Sequence, residues 1–137
     1  MKTLILAIYF SSFAGAAEAK VSIITNAANA AAPERDRITE IFLGKARRWP
    51  DGAATKPVDL PEGSAVRNEF YAALLGKSDM EMKKYWATTI FTGAGIPPKS
   101  LVSEGEVVQF VKDNPGAIGY VNGVPNAPGV KVLLTLE

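Results

Sequence analysis

A glycine and a serine stand at the start of a predicted helix in the sequence LPEGSAVRNEF, residues 60–70. Gly63 and Ser64 end a loop, apolar residues then recur every four positions, and Arg67 lies one helical turn further on. The first backbone N–H groups of a helix have no partner within the helix, and its aligned peptide dipoles place partial positive charge there. This helix start therefore requires an oxygen acceptor.

Two sources of that oxygen are compatible with the sequence. The Ser64 hydroxyl can cap its own helix, with Glu62 supplying further negative charge. Alternatively, a small oxyanion binds the exposed amides: Gly63 lets it approach, Ser64 turns its hydroxyl outward and Arg67 adds a full positive charge. Residue types and spacing leave both interpretations open.

The composition excludes several other kinds of chemistry. The 137 residues include no histidine and no cysteine, which removes disulfides, thiol nucleophiles, histidine triads and the usual zinc sites. No carboxylate cluster has metal-ligand spacing, so we predict a non-enzymatic protein without a cofactor or a metal. The net charge is +1, so no nucleic-acid partner is expected.

The N-terminal residues are typical of an export signal. Lys2 precedes an apolar run, Leu4 to Phe10, and the small-residue pattern Ala17-Glu18-Ala19 follows. We predict a secretory signal over residues 1–19, cleavage after Ala19, and a mature periplasmic protein that begins at Lys20. A buried N-terminal helix or a membrane anchor is the alternative interpretation.

Residues 20–137 alternate between strand and helix patterns. Strands are predicted at residues 21–25, 57–60, 117–121 and 130–136, and helices begin near Pro33, Ser64, Ser78 and Ser103. The last two helix starts carry capping boxes, Ser78 with Glu81 and Ser103 with Glu106. This order predicts one α/β domain.

Lys45, Arg47 and Arg48 form a basic group in a polar loop. We interpret this group as a solvated face or as a feature that steers anions, and we expect Trp49 to pack the loop down.

Four segments, in this order, resemble the phosphate-binding substrate-binding proteins of bacterial ABC transporters: ITEIFLGKARRWPDG, PEGSAVRNEFYAALLGKS, YWATTIFTGAGIPP and SEGEVVQFVKDNPGAIGYV. The resemblance runs from about Val21 to Val121, and IFLGK and PGAIGYV are its most specific parts. Members of that family are periplasmic, lack enzymatic activity and hold an anion between two α/β lobes. A two-lobed member needs more than about 200 residues. The resemblance therefore implies a single-lobe, type 2 periplasmic-binding-protein-like domain over residues 20–137, with a central mixed sheet of about four or five strands flanked by helices.

The resemblance also implies where a ligand binds. GSAVR corresponds to the anion loop of the family, where a Gly-Ser-Gly-Thr sequence opens a helix under the phosphate, so Gly63, Ser64, Ala65 and Arg67 are the predicted oxyanion ligands. Ala65 and Val66 replace the usual glycine and threonine. An arginine that often precedes the loop has no counterpart, since Asp59-Leu60-Pro61 occupies its place. Fewer donors remain than in the family.

The implied function is that of an exported solute-binding-like protein that binds phosphate or a similar oxyanion. It would be an accessory to ABC-type phosphate uptake or sensing, with an ABC transporter or a membrane sensor as partner. The alternative is a periplasmic protein-interaction domain derived from a phosphate-binding protein that has lost tight ligand binding. A single lobe offers one wall of a cleft, so binding is expected to be weak unless a second molecule, for example in a homodimer, closes the site.

Overall fold

The structure is a computed structural model that describes residues 20–137, so the predicted export signal, residues 1–19, lies outside the described residues. The strands are β1 (Val21–Asn26), β2 (Lys56–Asp59), β3 (Lys99–Ser100), β4 (Ala117–Asn122) and β5 (Val130–Leu136). The helices are α1 (Arg35–Phe42), α2 (Ala65–Phe70), α3 (Asp79–Phe91) and α4 (Glu104–Asp113), and a π-helical segment, Tyr71–Leu75, directly continues α2. None of the helices in residues 20–137 has the length and apolar character needed to cross a membrane.

A mixed five-stranded sheet with the order β3-β2-β4-β1-β5 forms the centre of the described chain. β2 runs parallel to both β3 and β4, whereas β1 is antiparallel to β4 and β5. Every residue of β1 is buried, as expected for a strand that is paired on both sides and covered on both faces. The sheet and its flanking helices confirm the predicted α/β architecture.

Helix α4 packs directly on the sheet through its two fully buried valines. Its N-cap is Ser103, whose hydroxyl accepts a hydrogen bond from the Glu106 amide at 3.2 Å, as predicted. The reciprocal bond of the predicted capping box is absent, because the Glu106 carboxylate accepts from the Val102 amide at 3.1 Å instead. Val107 and Val111 face β4, where Gly119 has no side chain. A methyl group at Gly119 would lie 2.7 Å from Cγ1 of Val107 and 2.9 Å from Cγ2 of Val58, so this glycine sets how closely the helix approaches the sheet.

Three features were not predicted from the sequence. The helix that begins after Ser64 changes from α to π geometry at Tyr71, before the left-handed Gly76 ends it. β3 contains only two residues, too few to give a periodic pattern. The pairing of β1 with β5 shifts register between Ile23 and Ile24, which interrupts the inside-outside alternation of β5.

We predict that Gly119→Ala lowers the free energy of unfolding by about 1–3 kcal/mol, because the added methyl group overpacks the contact between α4 and the sheet. Denaturant unfolding followed by circular dichroism measures this change. Gly105→Ala, in the exposed part of α4, is the matched control: its methyl group meets only Ser103 Oγ at 3.8 Å. We expect it to be neutral or to stabilise by up to about 1 kcal/mol. Equal losses in the two variants would contradict the packing explanation.

Candidate functional site: the loop at the end of β2

The predicted anion loop lies directly after the C-terminal end of β2. Gly63 has a φ of +89°, a left-handed conformation that favours glycine, and no atom lies near the position of its missing side chain. The Ser64 hydroxyl accepts a hydrogen bond from the Arg67 amide at 3.2 Å, so it caps its own helix. A hydroxyl that accepts this bond still has a proton to donate. Capping and anion binding by Ser64 are therefore compatible.

The first turn of α2 presents two backbone donors. Within residues 20–137, no protein acceptor forms a hydrogen bond with the amides of Ala65 and Val66, whereas the Ser64 amide bonds the Pro61 carbonyl at 3.1 Å. Ala65 is exposed, and α2 with its π-helical continuation forms one uninterrupted helix of residues 65–75. Two free amides and one hydroxyl proton thus lie together at a helix N-terminus, an arrangement suited to an oxyanion.

Glu62 does not fill this position. Its carboxylate accepts a hydrogen bond from the Lys83 ammonium at 2.5 Å, which links the loop to α3. That hydrogen bond and the positive charge of Lys83 lower the pKa of Glu62. The partner of Glu62 is thus a lysine side chain on α3, and Ser64 alone supplies the side-chain cap of α2.

Arg67 is held by partners below the loop. Its Nε donates to the Tyr71 hydroxyl at 2.9 Å and lies 3.9 Å from an oxygen of Asp59, while Nη2 lies 3.0 Å from Asp79. The guanidinium also sits 5.0 Å from the centre of the Tyr71 ring, and the side chain is only 14% exposed. Two carboxylates offset its charge. That Arg67 binds an anion stays a prediction. To do so, its guanidinium would have to give up contacts with Tyr71, Asp59 or Asp79.

Asp59 is the buried centre of this arrangement and was missed as a site residue. The residue is 8% exposed, and its carboxylate accepts hydrogen bonds from the hydroxyls of Tyr71 and Tyr120 and from the Leu60 amide at 2.9 Å. Burial is the main reason that the pKa of both tyrosines is raised, and the hydrogen bonds to Asp59 and its negative charge raise the pKa further. A carboxylate of the chain itself thus lies just before the loop, where the family resemblance implies an arginine. No sequence pattern connected Asp59 with Tyr120, which lies 61 residues away.

The basic loop after α1 is separate from this site. Lys45, Arg47 and Arg48 are exposed, while Trp49 is 3% exposed and donates from its indole nitrogen to the Gly116 carbonyl at 3.0 Å. Trp49 therefore packs the loop down, as predicted. Within residues 20–137, no group of three or more acidic side chains is placed to hold a metal ion.

Comparison with known proteins identifies the fold. No family model matches the sequence, and no curated protein is similar enough to count as a match. Among solved structures, an ABC-type phosphate transport receptor from Vibrio cholerae aligns with a TM-score of 0.65 and 19% identity over 84% of this chain and 46% of its own. A putative phosphate ABC transporter substrate-binding protein from Clostridium perfringens, solved with bound phosphate, aligns with a TM-score of 0.67 and 20% identity. The alignment covers 84% of this chain and 45% of that protein. A possible phosphate binding protein from Planctomyces limnophilus aligns with a TM-score of 0.62 and 16% identity, over 84% of this chain and 41% of that protein.

These alignments establish a class of fold. The chain has the fold of phosphate ABC transporter substrate-binding proteins, as the sequence resemblance implied. It spans less than half the length of each of them, with 41% to 46% of their chains covered.

We predict that stability falls at alkaline pH because of Tyr71 and Tyr120. In the folded state their raised pKa values keep both phenols protonated, whereas the unfolded chain releases these protons above the ordinary tyrosine pKa of about 10. Their contribution is fully present below about pH 10 and is lost as pH rises further, by up to about 1.4 kcal/mol per pH unit for each tyrosine. Urea unfolding at a series of pH values measures this slope.

The variant Tyr71→Phe isolates one of the two groups. It removes the Tyr71 proton but retains Tyr120, so its alkaline slope should be shallower than that of the wild type by up to about 1.4 kcal/mol per pH unit. Ultraviolet absorbance of tyrosinate in the folded protein should show fewer tyrosines ionising than in the unfolded chain. An unchanged slope in this variant would contradict the assignment.

Proposed function

We propose that the protein is an exported, non-enzymatic solute-binding-like protein whose loop at residues 63–67 binds phosphate or a similar oxyanion. The observation that carries this proposal is the open first turn of α2, where the amides of Ala65 and Val66 have no protein acceptor and the Ser64 hydroxyl retains a proton to donate. Gly63 leaves the approach to these donors free. The similar structure from Clostridium perfringens with bound phosphate supports phosphate as the leading ligand.

The charges around the loop make this binding weak. Three hydrogen bonds to an anion contribute about 1.5–3 kcal/mol each, and the loss of freedom on association costs at least about 4 kcal/mol. The difference is at most about 0.5–5 kcal/mol, and since roughly 4 kcal/mol corresponds to a millimolar dissociation constant, binding is expected in the millimolar range or weaker. Asp59 and Asp79 offset the charge of Arg67, so no unpaired cation adds to this sum. Repulsion by Asp59 and Glu62 favours an oxyanion that retains a proton over a fully ionised one.

The cellular role follows from the fold and the predicted signal. The similar solved structures are described as transport receptors or substrate-binding proteins rather than as enzymes. A signal at residues 1–19 would place the mature chain in the periplasm. There, an oxyanion-binding domain would serve as an accessory to ABC-type phosphate uptake or sensing, next to an ABC transporter or a membrane sensor.

Titration of the isotope-labelled protein with phosphate, followed by amide chemical shifts, tests this function. We expect shifts of residues 63–67 that saturate in the millimolar range. Ser64→Ala removes one donor and should weaken binding by roughly tenfold or more, since a hydrogen bond to a charged group contributes about 1.5–3 kcal/mol. It also removes a helix cap, which costs about 1 kcal/mol of stability.

Ser78→Ala is the matched control for this variant. Ser78 caps α3 in the same way that Ser64 caps α2, with its hydroxyl 3.1 Å from the Glu81 amide. Its loss should lower stability similarly and leave phosphate affinity unchanged. Wild-type protein without saturable shifts at residues 63–67, or equal weakening by the two alanine variants, would refute oxyanion binding at the loop.

A second candidate function, a periplasmic protein-interaction domain, is favoured by the end of α3. Phe91 is 91% exposed, Ile90 is 54% exposed and Ile96, in the loop that follows, is 81% exposed. Large exposed apolar side chains are typical of a surface that another protein covers when they form a continuous patch, and these three lie within seven residues of the sequence. A second copy of the chain is the simplest such partner.

For this second function we predict self-association that depends on Phe91. Sedimentation velocity over a range of protein concentrations should show a dimer that Phe91→Ser abolishes, because the change removes the largest exposed apolar side chain. Val124→Ser, at a residue that is 67% exposed in another loop, is the control and should not alter the dimer. A wild-type protein that sediments as a monomer at all concentrations would exclude the homodimer.

A further inference from the structure

A groove lies along the edge of the sheet that β2 and β3 form. Its lining includes Lys56 and Pro57, at the start of β2, and Lys99, which pairs with Val58 in the neighbouring β3, and it shares no residue with the loop at residues 60–67. The groove has a volume of about 420 Å³. Its apolar lining includes Ile41, Ala46, Pro57, Ile96, Pro98 and Phe110. We call it the basic groove because of the cations described next.

Three cationic side chains line the basic groove without carboxylate partners. Arg47, Lys56 and Lys99 belong to its lining, and none of them forms a salt bridge within residues 20–137. Arg47 is fixed in place by a hydrogen bond from Nη2 to the Ala94 carbonyl at 2.7 Å. The Lys99 ammonium lies 5.6 Å from the centre of the Phe110 ring, so charge and apolar surface are in direct contact.

The loop and the basic groove differ in charge balance. At the loop, Arg67 faces Asp59 and Asp79, and Lys83 faces Glu62, so each cation has its own anion. At the basic groove, Arg47, Lys56 and Lys99 have no salt-bridge partner within the part of the chain that the structure describes. Complementary charge steers association and selects between partners of similar shape.

We propose that the basic groove binds an amphipathic organic anion. Its apolar body lies against Phe110 and Ile96, and its carboxylate or sulfonate group lies among Arg47, Lys56 and Lys99. The volume of the groove is within the range of about 300–1,000 Å³ that is typical of small-molecule sites, which are mostly apolar with a few polar groups that fix orientation. An inorganic anion would leave the apolar lining in water, and a neutral apolar molecule would leave the cations without a partner. This site is independent of the loop and of the proposed oxyanion binding.

Titration with 2-naphthoate, monitored by amide chemical shifts of the labelled protein, tests the proposal. We expect saturable shifts at Gly44, Ala46, Lys56 and Lys99, and none at residues 63–67. The neutral analogue 2-naphthalenemethanol should bind roughly tenfold more weakly, because exposed ion pairs contribute up to about 1 kcal/mol each. Lys56→Gln/Lys99→Gln should weaken naphthoate binding by a similar factor and leave binding of the neutral analogue unchanged.

Two further variants complete the test. Lys77→Gln/Lys84→Gln removes the same charge from residues outside the groove lining and should bind naphthoate like the wild type. Ile96→Ser changes a residue that is 81% exposed, so it should weaken binding of both probes without affecting the fold. Absence of saturable shifts, equal affinity for the two probes, or equal effects of the two lysine double variants would overturn the proposal. A groove that recognises only a protein segment would take up neither probe, and that result would overturn it as well.

Discussion

The buried Asp59 carboxylate is the interaction on which the arrangement of this chain depends. A carboxylate with 8% exposure is costly unless hydrogen bonds and positive charge compensate it. The compensation comes from three parts of the chain: Tyr120 on β4, Tyr71 in the helix that follows the loop, and Arg67 in α2. Because these groups must converge on one carboxylate, Asp59 fixes the start of α2 relative to the sheet and so determines where the loop amides lie.

The same carboxylate limits what the loop can bind. The family resemblance implies an external anion above a helix N-terminus with an arginine nearby. Here Arg67 lies among Asp59, Asp79 and Tyr71, so a large part of its charge is already offset inside the protein. Ser64 and Ala65 still offer donors at the helix N-terminus that an oxyanion could use, but the positive charge available to attract one is reduced. Affinity at such a site would depend on hydrogen-bond geometry more than on net charge. Because the nearby carboxylates repel negative charge, a protonated oxyanion would be favoured over a fully ionised one.

Local patterns in the sequence predicted most of the fold, because caps and periodicity act within a few residues. Ser78 and Ser103 cap helices as expected, and the last strand occupies residues 130–136. Features set by tertiary contacts were not predictable in this way. The π-helical segment at Tyr71–Leu75 and the two-residue β3 have no sequence period of their own. At the candidate site, the resemblance indicated the loop, but the pairing of Asp59 with Tyr120 depends on the sheet order, which brings β2 next to β4.

A one-walled oxyanion site has a thermodynamic consequence for the proposed accessory role. If a partner molecule completes the site and supplies further hydrogen bonds, it raises phosphate affinity by some factor, and phosphate must then raise partner affinity by the same factor. Two additional charge-assisted hydrogen bonds of about 1.5 kcal/mol each correspond to roughly a hundredfold coupling. Weak binding by the isolated domain and tight binding in a complex would therefore make complex formation depend on phosphate concentration. The proposed site would favour this behaviour, because Asp59 and Asp79 already offset the charge of Arg67 and a partner would have to supply the further donors.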